Sequence, residues 1–541
     1  MKDISSTGSF INFYLNNYIY VDKTQYIRDL IKLERVFISR PRRFGKSLTL
    51  DTIATLFETG VEPYFKGTWI YDKWTEPTYP VLRLNFLDLD KYSLEHFKQK
   101  LNAIISSFAR DINVKNYEEK VEPEDTIYFL LDELRKEKRQ IVILIDEYDC
   151  QMTANINNET LYKQFQEKIK SFYATIKNKW PIKFLGITGV TRLKDVEIFS
   201  IGSDINDITN DSAYSQMIGF TRDEIKKYYI DYLKLASSYE NSCSVDNVTD
   251  EQIESLLDRL AKNYDGYCFD EDYEKKVFST WSVNKFFQTM VGKKKVQFGE
   301  YWYDNGGLPS ILVNYLKTHE LNIFEYLDKD KFLKVSSDDF KNPTALTTIN
   351  QNVLMCQTGY LTLRSDLNKT STVALGIPNG EIYKALNRLL ANNIFKGNTD
   401  ITDDYGRSLL EVGTVDDIIN LFNSALNSVS YDNYPIVSES SVQNMLKLYL
   451  LGAHQEVLSE VHEAKGRADL IVNTDNRRIV FEFKYAKNET ETKAKLSEAV
   501  EQIKTRDYGN ILPKKNELIR IAAVFNADPK VRAFTENQIV P

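Results

Sequence analysis

Apolar residues in the first 210 positions occur in short runs that are separated by longer stretches with helical spacing. Polar or turn-forming residues bound each run, which is typical of buried strands. Strands that alternate with helices predict a parallel sheet covered by helices on both faces. The predicted strands are residues 36–39, 81–86, 141–145 and 182–187, and the predicted helices are 46–58, 93–110, 125–138 and 159–178.

The rest of the chain shows two further patterns. Residues 216–435 are mostly helical, rich in Tyr and Phe, and interrupted by Gly and Pro at 265–266, 305–309 and 377–380. Beyond them a helix, two strands, a helix and a strand follow one another. We therefore expect an α/β protein with three domains, at 1–215, 216–435 and 436–541. The last domain's predicted elements are residues 442–451, 468–472, 478–483, 491–506 and 518–525.

Composition excludes several classes of protein. Of the 541 residues, 42% are hydrophobic and 27% are charged, as in soluble globular proteins. No apolar run approaches the roughly 18 residues that a spanning helix needs, and the first residues lack the apolar core of a signal peptide. The four cysteines and four histidines show neither C-x-x-C nor H-E-x-x-H spacing, which argues against a zinc site. We expect a cytoplasmic protein with reduced thiols and no membrane contact.

The charge is distributed unevenly. The net charge is −8, so the whole chain lacks the basic character of many nucleic-acid-binding proteins. Residues 431–541 contain equal numbers of acidic and basic residues, and the first 430 carry the whole excess. The C-terminal segment is therefore the part best suited to approach a polyanion.

A phosphate-binding loop is predicted at residues 39–47, which read Ser-Arg-Pro-Arg-Arg-Phe-Gly-Lys-Ser between a strand and a helix. Backbone amides and the dipole at a helix start attract phosphate. In such a loop Gly45 allows close approach, Lys46 reaches the β and γ phosphates, and the Ser47 hydroxyl binds Mg²⁺. The G-x-x-x-x-G-K-[ST] pattern lacks its first glycine, and the alternative interpretation is an ordinary basic turn. The guanidinium groups suited to phosphate oxygens are those of Arg40, Arg42 and Arg43.

Acidic residues follow the third predicted strand, where residues 141–149 read Ile-Val-Ile-Leu-Ile-Asp-Glu-Tyr-Asp. Ligands bind at the carboxyl ends of parallel strands. We expect Asp146 to hold Mg²⁺ and Glu147 to polarise the attacking water. After the fourth strand, Thr188 is placed to sense the γ phosphate. Arg192 is a candidate to act in cis or in trans, although a strand-capping turn is the simpler interpretation.

A second candidate site lies in residues 460–484. The two predicted strands form a hairpin around 473–476, which brings Asp469 together with Glu482 and Lys484, whose side chains leave the same face. Two carboxylates suit Mg²⁺, which stabilises charge on a scissile phosphate and activates a water. Lys484 is then expected to orient or deprotonate that water, and Glu460, on a predicted helix, to add a ligand. A charged pair in so apolar a strand is unfavourable without a metal or a partner.

With both sites in view, the chain resembles bacterial proteins that join an AAA-ATPase-like domain to a C-terminal PD-(D/E)XK nuclease-superfamily domain. The resemblance covers nearly the whole chain, and the absent first glycine of the loop is usual in that family. It implies a P-loop NTPase sheet at 1–215, a helical middle or lid region and a nuclease-type domain at 436–541, with ATP and Mg²⁺ as cofactors. It also implies that Gln502 supports the nuclease site. The matching motifs are residues 20–24, 40–47, 145–149, 188–190, 264–267, 358–361, 377–379, 466–469, 482–484 and 501–503.

Three functions remain open from the sequence. The first is an ATP-dependent nuclease that cleaves DNA in defence or mobile-element conflict. The second is a regulatory NTPase switch whose nuclease-like domain binds nucleic acid or protein without cleaving it. The third is an effector or toxin that acts on a host or competitor. Intact Glu147 and Lys484 favour the first, whereas oligomeric state and the choice of DNA over RNA stay open.

Overall fold

The protein is described by a computed structural model that covers residues 1–177, 180–193, 204–304, 310–316, 319, 323–343, 345–395, 402–453, 455–463, 466–510 and 513–541. The predicted turn at 305–309 lies outside these residues. The strands are β1 Arg35–Ser39, β2 Val81–Asn85, β3 Ile141–Asp146, β4 Ile182–Gly189, β5 Asn206–Asp207, β6 Leu333–Ser336, β7 Thr362–Leu363, β8 Thr372–Gly376, β9 Glu456–Glu463, β10 Gly466–Asn473, β11 Arg477–Ala486, β12 Glu517–Asn526 and β13 Ala533–Ile539.

The helices are α1 Phe10–Leu15, α2 Thr24–Ile31, α3 Lys46–Thr59, α4 Leu94–Asp111, α5 Pro123–Lys136, α6 Cys150–Ala154, α7 Glu159–Ile176, α8 Arg222–Tyr228, α9 Ile230–Asn241, α10 Asp250–Tyr264, α11 Thr280–Lys293, α12 Tyr301–Asp304, α13 Ser310–Leu316, α14 Ser337–Lys341, α15 Gln351–Gln357, α16 Gly380–Ile394, α17 Thr402–Val412, α18 Val415–Asn427, α19 Glu439–Gly452 and α20 Glu489–Arg506. Among the described helices, none combines the length and the apolar character needed to cross a membrane.

The chain divides into two compact units. The N-terminal unit comprises residues 1–319 and 332–382, and the C-terminal unit comprises residues 320–331 and 383–541. The chain therefore passes from one unit to the other three times. The division into three domains stays a prediction.

A parallel five-stranded sheet organises the N-terminal unit, as the alternation of strands and helices predicts. Its order is β2-β3-β4-β1-β5, and every neighbouring pair is parallel. β1 is buried along its whole length, and so is β3 except for its last residue. Strands buried in this way need cover on both faces. Helix α3 packs on β2 and β3, and α4 also contacts β2. The order places the carboxyl ends of β1, β3 and β4 side by side.

The middle of the chain is helical but also contains a small sheet that the sequence patterns did not reveal. β6, β8 and β7 pair antiparallel in that order. β7 has only two residues and β6 four. Runs as short as these give no periodic signal, because periodicity needs several residues to develop.

The C-terminal unit is built on a mixed sheet in the order β13-β12-β11-β10-β9. The hairpin of β10 and β11 is antiparallel, as predicted, and β12 joins β11 in parallel after α20. Strands β9 and β13 extend the sheet beyond the predicted elements. Helix α20 packs on β11 and β12 through residues that include Ala499 and Ile503, and α19 contacts β10 and β11.

Candidate functional site

The loop that joins β1 to α3 has the form expected of a phosphate-binding loop. β1 ends at Ser39, and α3 begins at Lys46 directly after Gly45. Gly45 has φ +107°, and Arg43 also lies in the left-handed region at φ +68°. Two left-handed backbone conformations therefore lead directly into the first turn of α3.

Lys46 is folded into this loop. Its side chain is 4% exposed, and its Nζ donates hydrogen bonds to the carbonyl oxygens of Arg40 at 3.0 Å and Pro41 at 3.2 Å. The same Nζ lies 3.8 Å from Oε1 of Glu147. The ammonium group thus links the loop to the end of β3, and it is held by neutral carbonyls that an anionic ligand can displace.

Asp146, the last residue of β3, is hydrogen-bonded to the start of α3 and to the end of β4. Its Oδ2 accepts a hydrogen bond from Oγ of Ser47 at 2.5 Å, and its Oδ1 accepts one from Oγ1 of Thr188. The backbone N–H of Glu147 also donates to Oδ1, at 2.9 Å. The loop serine, the acidic strand end and the polar end of β4 are thereby brought together as the sequence predicts.

Glu147 follows Asp146 in a strained backbone conformation. Its φ is +53°, which is uncommon for a residue with a side chain. Burial raises the pKa of its carboxyl group, and the neighbouring charge of Lys46 opposes that shift. A carboxylate that holds its proton more tightly than usual is suited to general-base work.

The segment after Glu147 fixes the end of β4. Oδ2 of Asp149 accepts hydrogen bonds from the backbone N and Oγ1 of Thr191, at 2.7 and 2.6 Å. The buried ring of Tyr148 packs directly over Gly189, where an added Cβ would lie 2.4 Å from the ring. This close approach holds Thr188 in place.

Arg40 does not lie at the phosphate position predicted for it. Its guanidinium is 1% exposed and lies 4.2 Å from the ring centre of Phe269. Nη1 donates to the carbonyl oxygens of Ser39, at 2.9 Å, and Thr209. Burial lowers the pKa of this guanidinium to about 9. Arg40 therefore braces the loop from behind.

The other predicted arginines are divided. Arg42 and Arg43 line a cavity of about 350 Å³ in front of the loop. Arg43 lies 4.5 Å from the ring centre of Trp281. Arg192 forms an ion pair with Asp207. The walls of the cavity include the segment 5–8, residues 19–21, the start of α3, residues 217–220 and the start of α11.

Two glycine motifs support the loop from outside. At Gly266, φ is +95° and an added Cβ would lie 2.3 Å from the carbonyl oxygen of Pro378. At Gly359, φ is +90° and an added Cβ would lie 2.8 Å from Cβ of Pro41 in the loop. The motif at 358–361 therefore contacts the loop directly, as does Tyr267, whose ring lies 4.7 Å from that of Phe44, and the motif at 377–379 packs against 264–267.

The buried carboxyl group of Glu381 is hydrogen-bonded to residues of α11 and α12. Oε2 of Glu381 accepts a hydrogen bond from Oγ of Ser282 at 2.7 Å, and Oε1 accepts one from the backbone N of Trp302 at 2.8 Å. Burial raises the pKa of Glu381 to about 8, and the charge of Glu300 adds to the shift. Thr280, two residues before Ser282, donates its hydroxyl to the carbonyl of Arg43 at 2.8 Å.

The second candidate site is built on the β10–β11 hairpin. Glu482 is fully buried, and Lys484 is 6% exposed. Nζ of Lys484 lies 3.0 Å from Oε1 of Glu482, and Asp469 Oδ2 accepts a hydrogen bond from the backbone N of Phe483 at 2.9 Å. Asp469, Glu482 and Lys484 are therefore brought together as predicted.

The charges of this site are unbalanced. Oε2 of Glu482 is buried and has no hydrogen-bond partner in the described part of the chain. Burial, followed by the charge of Asp469, raises the pKa of Glu482 to about 7. Burial works to lower the pKa of Lys484, but the carboxylates around it raise the pKa overall. An unpartnered oxygen beside a second carboxylate fits a divalent cation, and Mg²⁺ commonly uses one or two protein carboxylates.

Two side chains that the sequence analysis missed adjoin this site. Oε1 of Glu439, the first residue of α19, lies 3.3 Å from Nζ of Lys484. Arg506 donates to the Tyr508 hydroxyl at 2.9 Å, and this hydrogen bond raises its pKa, with smaller contributions from the charges of Glu482 and Asp469. Glu439 lies three residues before the predicted helix 442–451, and an acidic residue near a helix start is common for structural reasons, so it gave no specific signal.

The remaining predicted residues of this site lie as follows. Nε2 of Gln502, on α20, lies 3.4 Å from the hydroxyl of Tyr508, the residue that Arg506 also contacts. The prediction of a helix at Glu460 is wrong, because this residue belongs to β9. Its side chain lies outside the described residues. Among those residues, no group of three or more His, Cys, Asp and Glu side chains is arranged to hold a metal ion.

Comparisons with known proteins match the regions of the two candidate sites to two different family models. Residues 5–199 match the family model AAA-ATPase_like, described as a predicted AAA-ATPase, and residues 437–535 match the model of the PD-(D/E)XK nuclease superfamily. The "Uncharacterized protein in vnfD 5'region" of Azotobacter chroococcum mcd 1 is 26% identical over 533 residues, which cover 95% of this chain and 94% of that protein. The two family-model matches confirm the resemblance inferred from the motifs.

One solved structure is also similar. The crystal structure of Cdc6p from Pyrobaculum aerophilum aligns over 68% of this chain and 93% of its own, with 11% identity and a TM-score of 0.23. A TM-score this low does not establish a common fold. The fold assignment therefore depends on the sheet order and the family matches.

Proposed function

Because the chain joins an AAA-ATPase-like domain to a domain of the PD-(D/E)XK nuclease superfamily, we propose that it hydrolyses ATP and cleaves DNA in a Mg²⁺-dependent reaction. The convergence on Asp146 carries the ATPase half of this proposal. Asp146 ends β3, Thr188 lies at the end of β4 and Ser47 lies in the first turn of α3, and hydrogen bonds join Ser47 and Thr188 to Asp146.

In the proposed reaction each residue of the loop has a task. Lys46 would leave the carbonyls of Arg40 and Pro41 to neutralise the β and γ phosphates, and the amides at the start of α3 would bind their oxygens. Ser47 and Asp146 would hold Mg²⁺, which supplies further neutralisation of phosphate charge. Glu147 would accept the proton of the attacking water. Thr188 would report the presence of the γ phosphate.

The arginines have unequal places in this proposal. Arg42 and Arg43 line the cavity and are suited to bind phosphate oxygens or a ring of the nucleotide. Arg40 holds the loop rather than the ligand. Arg192 would have to leave Asp207 before it could act on the γ phosphate in cis or in trans.

The unpartnered oxygen of Glu482 carries the nuclease half of the proposal. Asp469 and Glu482 would hold Mg²⁺, which lowers the pKa of a bound water and stabilises charge on a phosphate. Lys484 would orient that water or neutralise the charge that develops on the scissile phosphate. Glu439 and Gln502 are proposed to position Lys484 and the substrate. The four unpaired cysteines support a reducing, cytoplasmic setting.

The ATPase half is tested by Lys46→Ala with calorimetry and a turnover assay. The variant should lose both ATP affinity and hydrolysis, because the cation at the phosphates is gone. Glu147→Gln should keep binding and lose hydrolysis. Lys293→Ala, which alters an exposed lysine of α11, is the matched control and should behave as the parent. Normal ATP affinity in Lys46→Ala would show that the loop is not the site.

The nuclease half is tested on several DNA and RNA substrates with Mg²⁺ or Mn²⁺, with and without ATP. Lys484→Ala should cut at least about 10²-fold more slowly than the parent, since loss of such an element typically has this effect. Lys487→Ala, which alters an exposed lysine just after the end of β11, should cut normally. Equal cutting by parent and Lys484→Ala would place the activity elsewhere. A parent that cuts nothing would favour a domain that only binds.

A further inference from the structure

A second cleft in the N-terminal unit lies next to the nucleotide cavity, and we propose that it binds single-stranded nucleic acid. Its volume is about 400 Å³, within the range of ligand-binding clefts. Phe13, Ile19 and Tyr20 line both this cleft and the nucleotide cavity. The inference rests on the proposed function only in taking nucleic acid as the substrate of the protein.

The cleft offers aromatic surface for bases. Tyr14 is 48% exposed, and its ring meets that of Tyr64 edge to face at 5.6 Å. The rings of Tyr18 and Tyr228 are partly exposed in the same lining. Bases of a single strand stack on such rings whatever their sequence, whereas duplex bases are already stacked on each other. The lining therefore favours an unpaired strand.

The cleft also offers cations for the phosphates. Lys2, Lys66 and Lys227 are exposed in its lining, and among the described residues none of the three has a carboxylate partner within ion-pairing distance. The lining contains two carboxylates, and that of Asp22 already accepts hydrogen bonds from the backbone of Thr24 and Trp69. Lys227 Nζ lies 4.9 Å from the ring centre of Tyr228. In a chain of net charge −8, three lysines without a carboxylate partner beside these rings make a local site for a polyanion.

The shared wall predicts an effect on ATP turnover. Tyr20 is half-buried and lines both cavities, and Thr52 of α3 lines the nucleotide cavity with it. Helix α3 begins with Lys46 and Ser47. A strand that orders the aromatic wall would therefore also stabilise the helix that carries the phosphate-binding residues. We expect oligo(dT) to increase the rate of ATP hydrolysis.

The binding test uses the full chain in EDTA, where neither ATP hydrolysis nor metal-dependent cleavage takes place. Anisotropy of labelled oligo(dT) should show that Tyr14→Ala and Lys66→Glu each weaken binding by at least about fivefold, the lower bound for loss of a stacked base. Tyr14→Phe should bind within about twofold of the parent, because it keeps the ring. Tyr92→Ala and Lys115→Glu, which alter exposed residues outside the cleft, are the controls.

Further arms separate this inference from the proposed function. A parent that neither hydrolyses ATP nor cuts DNA, yet binds oligo(dT) through Tyr14 and Lys66, refutes the proposed function and supports the cleft. Parent-like binding in both cleft variants, or a parent that prefers duplex, overturns the cleft.

Discussion

Glu381 should make the stability of the N-terminal unit depend on pH, and Glu381→Gln should remove that dependence. The pKa of this buried carboxyl is raised from its ordinary value of 4.5 to about 8. The folded state then holds the proton more tightly than the unfolded state. The stability contribution is complete below pH 4.5, declines as the pH rises and is lost above pH 8.

The size of the effect follows from the shift. One pKa unit corresponds to about 1.4 kcal/mol, so the rise from 4.5 to about 8 corresponds to about 5 kcal/mol at its limit. Glutamine does not titrate, and its amide can still accept from the Trp302 amide and donate to the Ser282 hydroxyl. The variant should match the parent near pH 5 and exceed it near pH 9. At about 1–2 °C per kcal/mol for a unit of this size, its Tm should be about 5–10 °C higher at pH 9.

The assay is thermal unfolding from about pH 5 to pH 9, followed by the fluorescence of the buried Trp302 and its fellow tryptophans. Glu274→Gln, which alters an exposed carboxylate in the same unit, should give a difference from the parent that does not change with pH. If the difference between Glu381→Gln and the parent is also the same at pH 5 and pH 9, the reasoning about burial is refuted.

Two further predictions concern the sites. Gly189→Ala should lower the free energy of unfolding by about 1–3 kcal/mol and slow ATP turnover, because its Cβ would lie 2.4 Å from the buried Tyr148 ring. Urea unfolding measures the loss of stability. Gly292→Ala is the control and should lose no stability, because no atom lies within 4 Å of the new Cβ. Above pH 7 in EDTA, where the buried Glu482 carboxylate of the parent is ionised, Glu482→Gln should be at least as stable as the parent. Mg²⁺ should raise the Tm of the parent but not that of the variant. Equal stabilisation of both proteins by Mg²⁺ would contradict the metal site.

The sequence was most informative where local pattern and chemistry coincide. The strands of the parallel sheet are runs of apolar residues, and Lys46 and Ser47 open a helix directly after one of them. The hairpin of β10 and β11 was predictable because two apolar runs flank the turn residues 473–476, and Glu482 and Lys484 indicated its site because they are charged residues at alternate positions in an apolar strand. In each case a few neighbouring residues carry the whole signal.

The errors arise where distant residues decide the outcome. In β9, Val457, Leu458 and Val461 have a spacing that is also typical of a helix, so Glu460 was assigned to the wrong element. Arg40 looked like a phosphate ligand because its neighbours are basic. Its actual partners include Phe269, more than 200 positions away, and no local pattern encodes that contact.

Because the chain passes three times between its two units, no single cut or recombination breakpoint separates them cleanly. The excursion at 320–331 contributes Ile323, Tyr326 and Leu327, all buried, to the C-terminal unit, and the Tyr383 hydroxyl donates to the carbonyl of Leu327 at 2.9 Å. A single cut after residue 382 leaves these apolar side chains on the N-terminal fragment, where they no longer pack against the C-terminal unit and become exposed to solvent. A cut before residue 320 deprives the N-terminal unit of residues 332–382, with its small sheet. Gene fission or recombination at one breakpoint therefore damages at least one unit, so the two are expected to be gained and lost together.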